Sequence, residues 1–290
     1  MKTRAVLMLT VVGAAAATGV AQIDSVQIRE RLFNDFPDSE LTVTNNFPSE
    51  VTFSETNFGN GNFANRHSAF FSEDGGATAK DIDYGDSFDF QVTLDLDASP
   101  IDGREAGFHT DLFGFGFFGV LPNGEIAAFG SVLPFHSFGA VWTPGEPVDL
   151  RIIHTPGDGD GTSDQFTIAS TIEYLYDDGG GWVSSGAVDM TTTEGGIPSN
   201  FDFFVGVGVQ NQGGPGGSSV ASFTNFIVPA PKRATASSST PSGPRRATVP
   251  SSCSPSRAQR ITRGSTSFGT SSCGWPIPVA SRTRQSWKRF

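Results

Sequence analysis

Residues 86–99, DSFDFQVTLDLDAS, alternate apolar and polar side chains along most of their length. Every second residue in the middle of this stretch is large and apolar: Phe88, Phe90, Val92, Leu94 and Leu96. Successive side chains of an extended strand point to opposite faces, so a period of two collects these residues on one face. The stretch is therefore predicted to be a half-buried β-strand with its apolar face on a core.

The same kind of pattern continues on both sides of this strand. Strand-like runs extend to residue 228, with Gly- and Pro-rich turns between them, and Asn123-Gly124 is a strong hairpin signal. The only helix-like piece is SVQIRERLF (25–33). Of the 26 Phe residues, 24 precede residue 231, which is enough for one large core. Residues 22–228 are therefore predicted to form an antiparallel β-sandwich or barrel.

The N-terminus has the three parts of a secretory signal. Lys2 and Arg4 precede the apolar run AVLMLTVVGAAAA, and small residues precede Gln22. The apolar run is shorter than the roughly 20 residues that a membrane span needs. Residues 1–21 are thus predicted to be a signal peptide cleaved near Ala21, which makes the protein secreted or cell-surface. The alternative is an uncleaved N-terminal anchor.

Charge divides the chain unevenly. Residues 231–290 contain 11 Lys or Arg and no acidic residue, whereas residues 1–230 contain 8 basic and 30 acidic residues. An acidic domain repels phosphate, so no nucleic-acid partner is expected for residues 22–230. The basic segment is rich in Ser, Pro and Arg, and residues 229–290 are predicted to be a disordered tail without a membrane span. Both cysteines, Cys253 and Cys273, lie in this tail without metal-ligand or redox spacing.

A signal peptide, an acidic β-rich domain and the sequence FTNFIVPAP (223–231) together resemble the bacterial PEP-CTERM exported proteins. VPAP (228–231) is similar to the Val-Pro-Glu-Pro start of that family's sorting signal. The resemblance implies that the domain is a two-sheet antiparallel β-sandwich of the concanavalin-like jelly-roll type. It also implies a non-catalytic role outside the cell.

The sequence after VPAP departs from the family pattern. A hydrophobic helix and an Arg cluster follow the motif in the family, whereas KRATASSSTPSGPRR (232–246) follows it here. We hypothesise that the reading frame changes just after the motif, because an Arg-, Ser- and Pro-rich tail without acids is typical of a GC-rich gene read out of frame. The alternative is a genuine basic tail that binds a polyanion or the acidic domain itself.

The loop GDGDGTSDQ (157–165) is a candidate calcium site. It places Asp158, Asp160 and Asp164 in D-x-D-G-x-x-D spacing. Calcium prefers several oxygen ligands in a flexible loop. The loop lacks the closing Glu and the flanking helices of an EF-hand, and an ordinary Asp/Gly turn is the alternative. No cofactor other than a structural calcium is expected.

Aromatic side chains that stack on sugar rings are the candidates for glycan binding. They are Trp142, Trp182, Tyr174 and Tyr176, and the alternative is that they pack in the core. The four histidines are scattered, and we expect each at the surface or at a strand end.

Catalysis has little support in the sequence. A glycosidase needs two carboxylates on either side of the scissile bond. The nearest candidates are Asp89, Asp95 and Asp97 in one strand, and Glu173, Asp177 and Asp178 in another. The E-x-D-x-E run of jelly-roll glucanases is missing. We therefore expect a non-catalytic surface or matrix protein with an extracellular polysaccharide as its partner; the alternative is a divergent glycoside hydrolase. The sequence does not set the oligomeric state.

Overall fold

A computed structural model of the chain describes residues 22–61, 63–82, 85–111, 115–157, 170–192, 204–212, 216–229 and 232–233. The chain divides into two units, residues 1–238 and 239–290, and all described residues lie in the first. Residues 1–21 and the calcium-loop aspartates Asp158, Asp160 and Asp164 lie outside the described residues. Within the described ranges, no helix is long and apolar enough to cross a bilayer.

The described chain consists of β-strands and one short 3₁₀ helix, Met190–Thr192. The strands are β1 (Ser25–Asn34), β2 (Glu40–Asn46), β3 (Glu50–Thr56), β4 (Ala64–Ser72), β5 (Asp86–Ser99), β6 (Arg104–Asp111), β7 (Phe115–Val120), β8 (Glu125–Gly130), β9 (His136–Ala140), β10 (Val148–Thr155), β11 (Thr171–Asp177), β12 (Val183–Ser184), β13 (Val188–Asp189), β14 (Phe204–Gln212), β15 (Ser218–Ile227) and β16 (Lys232–Arg233).

These strands form two antiparallel sheets packed face to face. The seven-stranded sheet has the order β1-β4-β14-β6-β7-β8-β9, and the nine-stranded sheet has the order β12-β11-β10-β5-β15-β3-β2, with β13 beside β11 and β16 beside β5. Their facing apolar side chains form one core. The fold is thus an all-β jelly-roll sandwich, which confirms the predicted fold class.

Strand β5 is the centre of the nine-stranded sheet, and it confirms the alternation that opened the sequence analysis. It pairs with β10 along one edge and with β15 along the other. Its five alternating apolar residues are all buried in the core, whereas Asp95 and Asp97 point to solvent. Burial of each large apolar side chain contributes roughly 2–3 kcal/mol, so the pattern fixes which face of the strand turns inward.

Aromatic rings fill much of the space between the sheets. The ring of Phe71 on β4 lies 4.9 Å from that of Phe90 on β5, and Phe118 on β7 lies 5.0 Å from Tyr174 on β11. Both pairs join one sheet to the other, the first edge-to-face and the second tilted. The abundance of Phe therefore supplies the contacts that hold the two layers together.

The middle strands of the seven-stranded sheet are buried on both faces. All nine residues of β4 are buried. Phe71 and Phe118 face the core, and their sequence neighbours Phe70 and Phe117, which point the opposite way, are equally buried. We call the side of this sheet that faces away from the nine-stranded sheet the outer face.

The helix-like reading of residues 25–33 is wrong, since they lie in strand β1. This strand pairs with β4, and the register shifts between Arg29 and Phe33. Arg31 sits in this bulge with a φ of 53°. The extra residues of a bulge break the period of two, which explains why the sequence did not read as a strand.

The hairpin at Asn123-Gly124 is confirmed. Strands β7 and β8 pair on either side of it, and Gly124 has the positive φ of 84° that such turns require. At the C-terminal end, β15 ends at Ile227, and Lys232–Arg233 pair again with the start of β5. The sheet therefore extends a few residues past the predicted boundary at residue 228.

Candidate functional site

Three of the four aromatic candidates for glycan stacking are buried. Trp142, Tyr174 and Tyr176 lie in the core between the sheets. The indole Nε1–H of Trp142 donates to the carbonyl of Glu146 at 2.7 Å, and the Tyr174 hydroxyl donates to the carbonyl of Pro134 at 3.1 Å. Only Trp182 is exposed, at 39%. Three rings therefore pack in the core, and stacking on a sugar stays a prediction for Trp182 alone.

The carboxylates considered for glycan hydrolysis lie on the solvent side of the nine-stranded sheet. Asp89 accepts two hydrogen bonds from Arg151, at 2.7 and 2.6 Å. Asp95 and Asp97 are exposed. Asp177 accepts from the backbone N–H groups of the glycine turn that follows it. Such contacts are typical of carboxylates on a solvent-exposed strand face.

Glu173 and Asp178 have equally local partners. Glu173 accepts a hydrogen bond of 2.5 Å from Ser184 on β12, and Asp178 accepts one from the N–H of Gly180. Within the described ranges, no group of three or more His, Cys, Asp or Glu side chains is placed to hold a metal ion.

The expectation that each histidine lies at the surface or at a strand end is wrong for His67 and His109, which lie inside β4 and β6, whereas His154 is next to the last residue of β10 but is buried. His67, His109 and His154 are each almost fully buried. His154 lies 2.7 Å from the carbonyl oxygen of Asp86, and burial lowers its pKa to about 4. His67 and His109 belong to two different polar clusters, one on each face of the seven-stranded sheet.

The first cluster is centred on Glu55, between the two sheets. Its carboxylate accepts hydrogen bonds from Ser39 at 2.5 Å, Asn65 at 2.6 Å and Asn211 at 2.8 Å, and lies 3.0 Å from the Nε2 atom of His67. Burial alone would raise the pKa of Glu55, but these hydrogen bonds and the interaction with His67 outweigh it and lower the pKa to about 2. This cluster is well supplied with partners, as a structural buried charge must be.

The second cluster lies on the outer face of the seven-stranded sheet and is the candidate functional site. Five polar side chains from three adjacent strands meet there: Arg66 and Ser68 on β4, Gln210 on β14, and Glu105 and His109 on β6. All five are no more than 7% exposed. Polar groups of this kind are rarely buried without a structural or functional reason.

His109 reaches across β14 to contact Ser68. Its Nδ1 atom lies 2.8 Å from the Ser68 hydroxyl. The strand between them carries Gly208, where a Cβ atom would lie 2.3 Å from the His109 ring. Glycine is therefore required at this position for the contact to form. Burial, together with nearby Arg66, holds the pKa of His109 well below its usual value, so the ring is neutral.

Arg66 lies between two aromatic rings. Its guanidinium carbon is 4.4 Å from the ring centre of Phe33 and 4.2 Å from that of Phe115. These are cation–π distances. The side chain is buried, and burial lowers its pKa despite the nearby charges of Asp111 and Glu105. Its Nε and Nη1 atoms make no hydrogen bond in the described structure.

Glu105 has a carboxyl group whose pKa is raised by burial. Burial raises its pKa to about 7, even though Gln210 donates a hydrogen bond of 2.5 Å to its carboxyl group. A carboxyl group with such a pKa can hold or release a proton near physiological pH.

An aromatic pair lies at the solvent edge of this cluster. Phe33 is 39% exposed and Phe63 is 53% exposed, and their ring centres are 6.2 Å apart. Asp35 fixes the backbone here by accepting from the N–H groups of Phe63 and Ala64. Phe33 is thus in contact both with solvent and with the guanidinium of Arg66.

Sequence reasoning missed this cluster because its members come from three distant segments. They lie in ANRHSAFFS (64–72), REAGFHTD (104–111) and FVGVGVQNQ (204–212). The available signal was local: each segment places polar residues or glycines at alternate positions of an otherwise strand-like run. Only the strand order β4-β14-β6 shows that these positions share one face.

The chain matches no protein-family model and no curated protein. Among solved structures, a family 7 alginate lyase in complex with its substrate is 13% identical, over 67% of this chain and 82% of its own, with a TM-score of 0.43. Lectin II from Ulex europaeus is 12% identical, over 70% of this chain and 93% of its own, with a TM-score of 0.36. An alginate lyase from a Chlorella virus is 9% identical, over 73% and 99%, with a TM-score of 0.38.

Proposed function

We propose that the protein is an exported, non-catalytic glycan-binding β-sandwich of the bacterial cell surface or extracellular matrix. The signal-like N-terminus supports export. The observation that carries the binding role is the pair of exposed rings, Phe33 and Phe63, next to the buried guanidinium of Arg66. Exposed aromatic rings beside a polar group with free N–H donors are suited to a sugar, which has both an apolar face and hydroxyl groups.

On β6, the spacing of the two carboxyl groups does not suit hydrolysis. Glycosidases place two carboxyl groups about 5–10 Å apart. On β6, Glu105 and Asp111 are six residues apart, which corresponds to roughly 20 Å along an extended strand. Glu105 and Asp111 are therefore too far apart to act as a hydrolytic pair.

The test is a binding assay against immobilised polysaccharides with matched aromatic variants. The double substitution Phe33→Ala and Phe63→Ala removes the exposed pair, and Phe135→Ala removes a ring that is 65% exposed next to β9, at the opposite edge of the same sheet. We expect the double variant to lose at least about tenfold in affinity, since each stacking contact is worth roughly 0.5–1.5 kcal/mol. Equal binding by the double variant and Phe135→Ala would rule out this surface.

A divergent glycan-cleaving enzyme is the second candidate, and one observation favours it. Glu105 has a pKa of about 7, which suits a general acid or base. If this group is catalytic, glycans that bind will be shortened with time, and Glu105→Gln will abolish the shortening while leaving binding intact. Stable glycan length with the unsubstituted protein excludes this candidate.

The C-terminal sorting signal is a separate proposal that rests on VPAP (228–231). The nucleotide sequence of the gene from codon 215 past the stop provides the test. A shifted frame that encodes about 20 apolar residues and an Arg cluster supports sorting to the surface. If the frame holds, the basic tail is genuine, and its binding to polyanions becomes the next measurement.

A further inference from the structure

The outer face contains nitrogen atoms that are buried without partners. Arg66 Nε, Arg66 Nη1 and His109 Nε2 are inaccessible to solvent and make no hydrogen bond within the described part of the chain. Buried N–H groups are nearly always paired in native proteins, so three unpaired nitrogens close together indicate a missing acceptor.

The two side chains approach the same place. The Arg66 guanidinium carbon lies 4.2 Å from the ring centre of Phe115, and the His109 ring lies 5.2 Å from it. The other nitrogen of His109 is already engaged with Ser68. When the Ser68 hydroxyl donates to Nδ1, the neutral ring carries its proton on Nε2 and can donate it to a ligand.

The sheet beneath these groups has little side-chain bulk. Gly206 and Gly208 on β14 lie between β4 and β6, and Gly107 of β6 faces Gly119 of β7. A Cβ atom at any of these four positions would lie within 2.5 Å of a neighbouring atom. Gly208 is the one of the four that leaves room for a side chain of the site, since a Cβ atom there would lie 2.3 Å from Nδ1 of His109.

The charges on this face balance when Glu105 is protonated, and they oppose an anion when Glu105 is ionised. The basic groups are Arg29 on β1 and Arg66 on β4, and the acidic groups are Glu105 and Asp111 on β6 and Glu125 on β8. Glu125 is separated from β6 by the whole of β7. His109 is neutral.

We infer that Arg66 and His109 form a binding site for a carboxylate or sulfate group, and that the glycan bound by this protein is therefore an acidic one. One of the unpaired N–H groups of the guanidinium donates to an oxygen of such a group, and His109 donates from Nε2. Only the statement that the anion belongs to a glycan rests on the proposed function.

The test uses sodium acetate and sodium sulfate as probes on the full-length protein, followed by NMR of the arginine Nε–H signals. Chloride is exchanged for the probe at constant ionic strength, so that general screening stays the same. The Arg66 signal is assigned from its absence in Arg66→Lys. Arg151, already paired with Asp89 on the other sheet, is the internal control.

We expect a saturable shift of the Arg66 signal with at least one probe, and no saturable shift of the Arg151 signal. Binding should be about tenfold weaker at pH 8 than at pH 6, because ionised Glu105 adds a negative charge beside the site. A shift of Arg66 that stays linear, or that equals the shift of Arg151, overturns the inference.

The two proposals fail in different ways. If glycans bind but neither probe shifts Arg66, the glycan-binding role stands and the anion site is excluded. If the probes saturate Arg66 but no glycan binds, the anion site stands and the proposed function fails. Should Arg66→Lys not fold, as near-UV circular dichroism would show, Phe33→Ala provides the assignment, because removal of the ring over Arg66 moves the same signal.

Discussion

The buried carboxylate of Glu55 should stabilise the fold strongly, and the substitution Glu55→Gln tests this. The side chain lies between the sheets and accepts hydrogen bonds on both oxygens. A glutamine keeps the shape but replaces one oxygen with an NH₂ group, which would face donors such as the amide of Asn65 or Asn211. The variant therefore loses the charge and gains an unfavourable contact between two donors.

The size of the charge-dependent part follows from the pKa. The pKa of Glu55 falls from the usual 4.5 to about 2 in the folded protein. Each pKa unit corresponds to about 1.4 kcal/mol, so the ionised form contributes roughly 3 kcal/mol to the free energy of unfolding. Because the folded-state pKa is lowered, this contribution is complete above pH 4.5 and is lost as the pH falls towards 2.

Urea unfolding at pH 7 and at pH 3, followed by circular dichroism, measures this effect. We expect the free-energy difference between the unsubstituted protein and Glu55→Gln to be roughly 2 kcal/mol larger at pH 7 than at pH 3. Glu40→Gln, on the neighbouring strand β2, is the control, because Glu40 is exposed and should change stability by less than about 0.5 kcal/mol. The same loss for Glu55→Gln at both pH values would refute the reasoning.

Three further predictions concern the outer face and the core. Gly208→Ala should lower the free energy of unfolding by about 1–3 kcal/mol, measured by urea unfolding, since the new Cβ would collide with the His109 ring. Glu105→Gln should be more stable relative to the unsubstituted protein at pH 8 than at pH 5: burial raises the Glu105 pKa to about 7, so the native carboxyl group is destabilising once it must ionise. Phe71→Ala should cost about 3–5 kcal/mol in thermal or urea unfolding because the ring is fully buried, whereas Trp182→Ala should stay within about 1 kcal/mol; equal losses would contradict the described burial.

The strands of the nine-stranded sheet could be predicted from the sequence because one face of this sheet is exposed to solvent. Strand β5 buries one face and exposes Asp95 and Asp97 on the other, so its pattern has a period of two. Strand β4 has no such contrast, because Arg66 and Phe70 on the outer face are as buried as Phe71 on the core face. A period of two in the sequence appears only when one face of a strand is buried and the other is exposed. It is absent when both faces of the strand are buried.

The candidate site was beyond prediction for a different reason. Arg66, His109 and Gln210 lie in segments that are far apart in the chain, and none of them carries a local motif. They meet because β14, close to the end of the domain, inserts between β4 and β6. The aromatic candidates failed for another reason. Tyr174 and Tyr176 were chosen for their residue type, but both side chains lie on the face of β11 that packs in the core.

Trp142 and Trp182 lie in different environments, so their intrinsic fluorescence can report on unfolding of different parts of the protein. Trp142 is buried with its indole N–H bonded to a carbonyl, whereas Trp182 is partly exposed at the β12 edge of its sheet. Replacement of Trp275 and Trp287 with Phe would leave these two as the only tryptophans in the full-length chain. Iodide would then quench the red-shifted emission of Trp182 in the native state, and the blue-shifted emission of Trp142 would disappear only on global unfolding. A single spectrum could thus distinguish local opening of the β12 edge from loss of the whole sandwich.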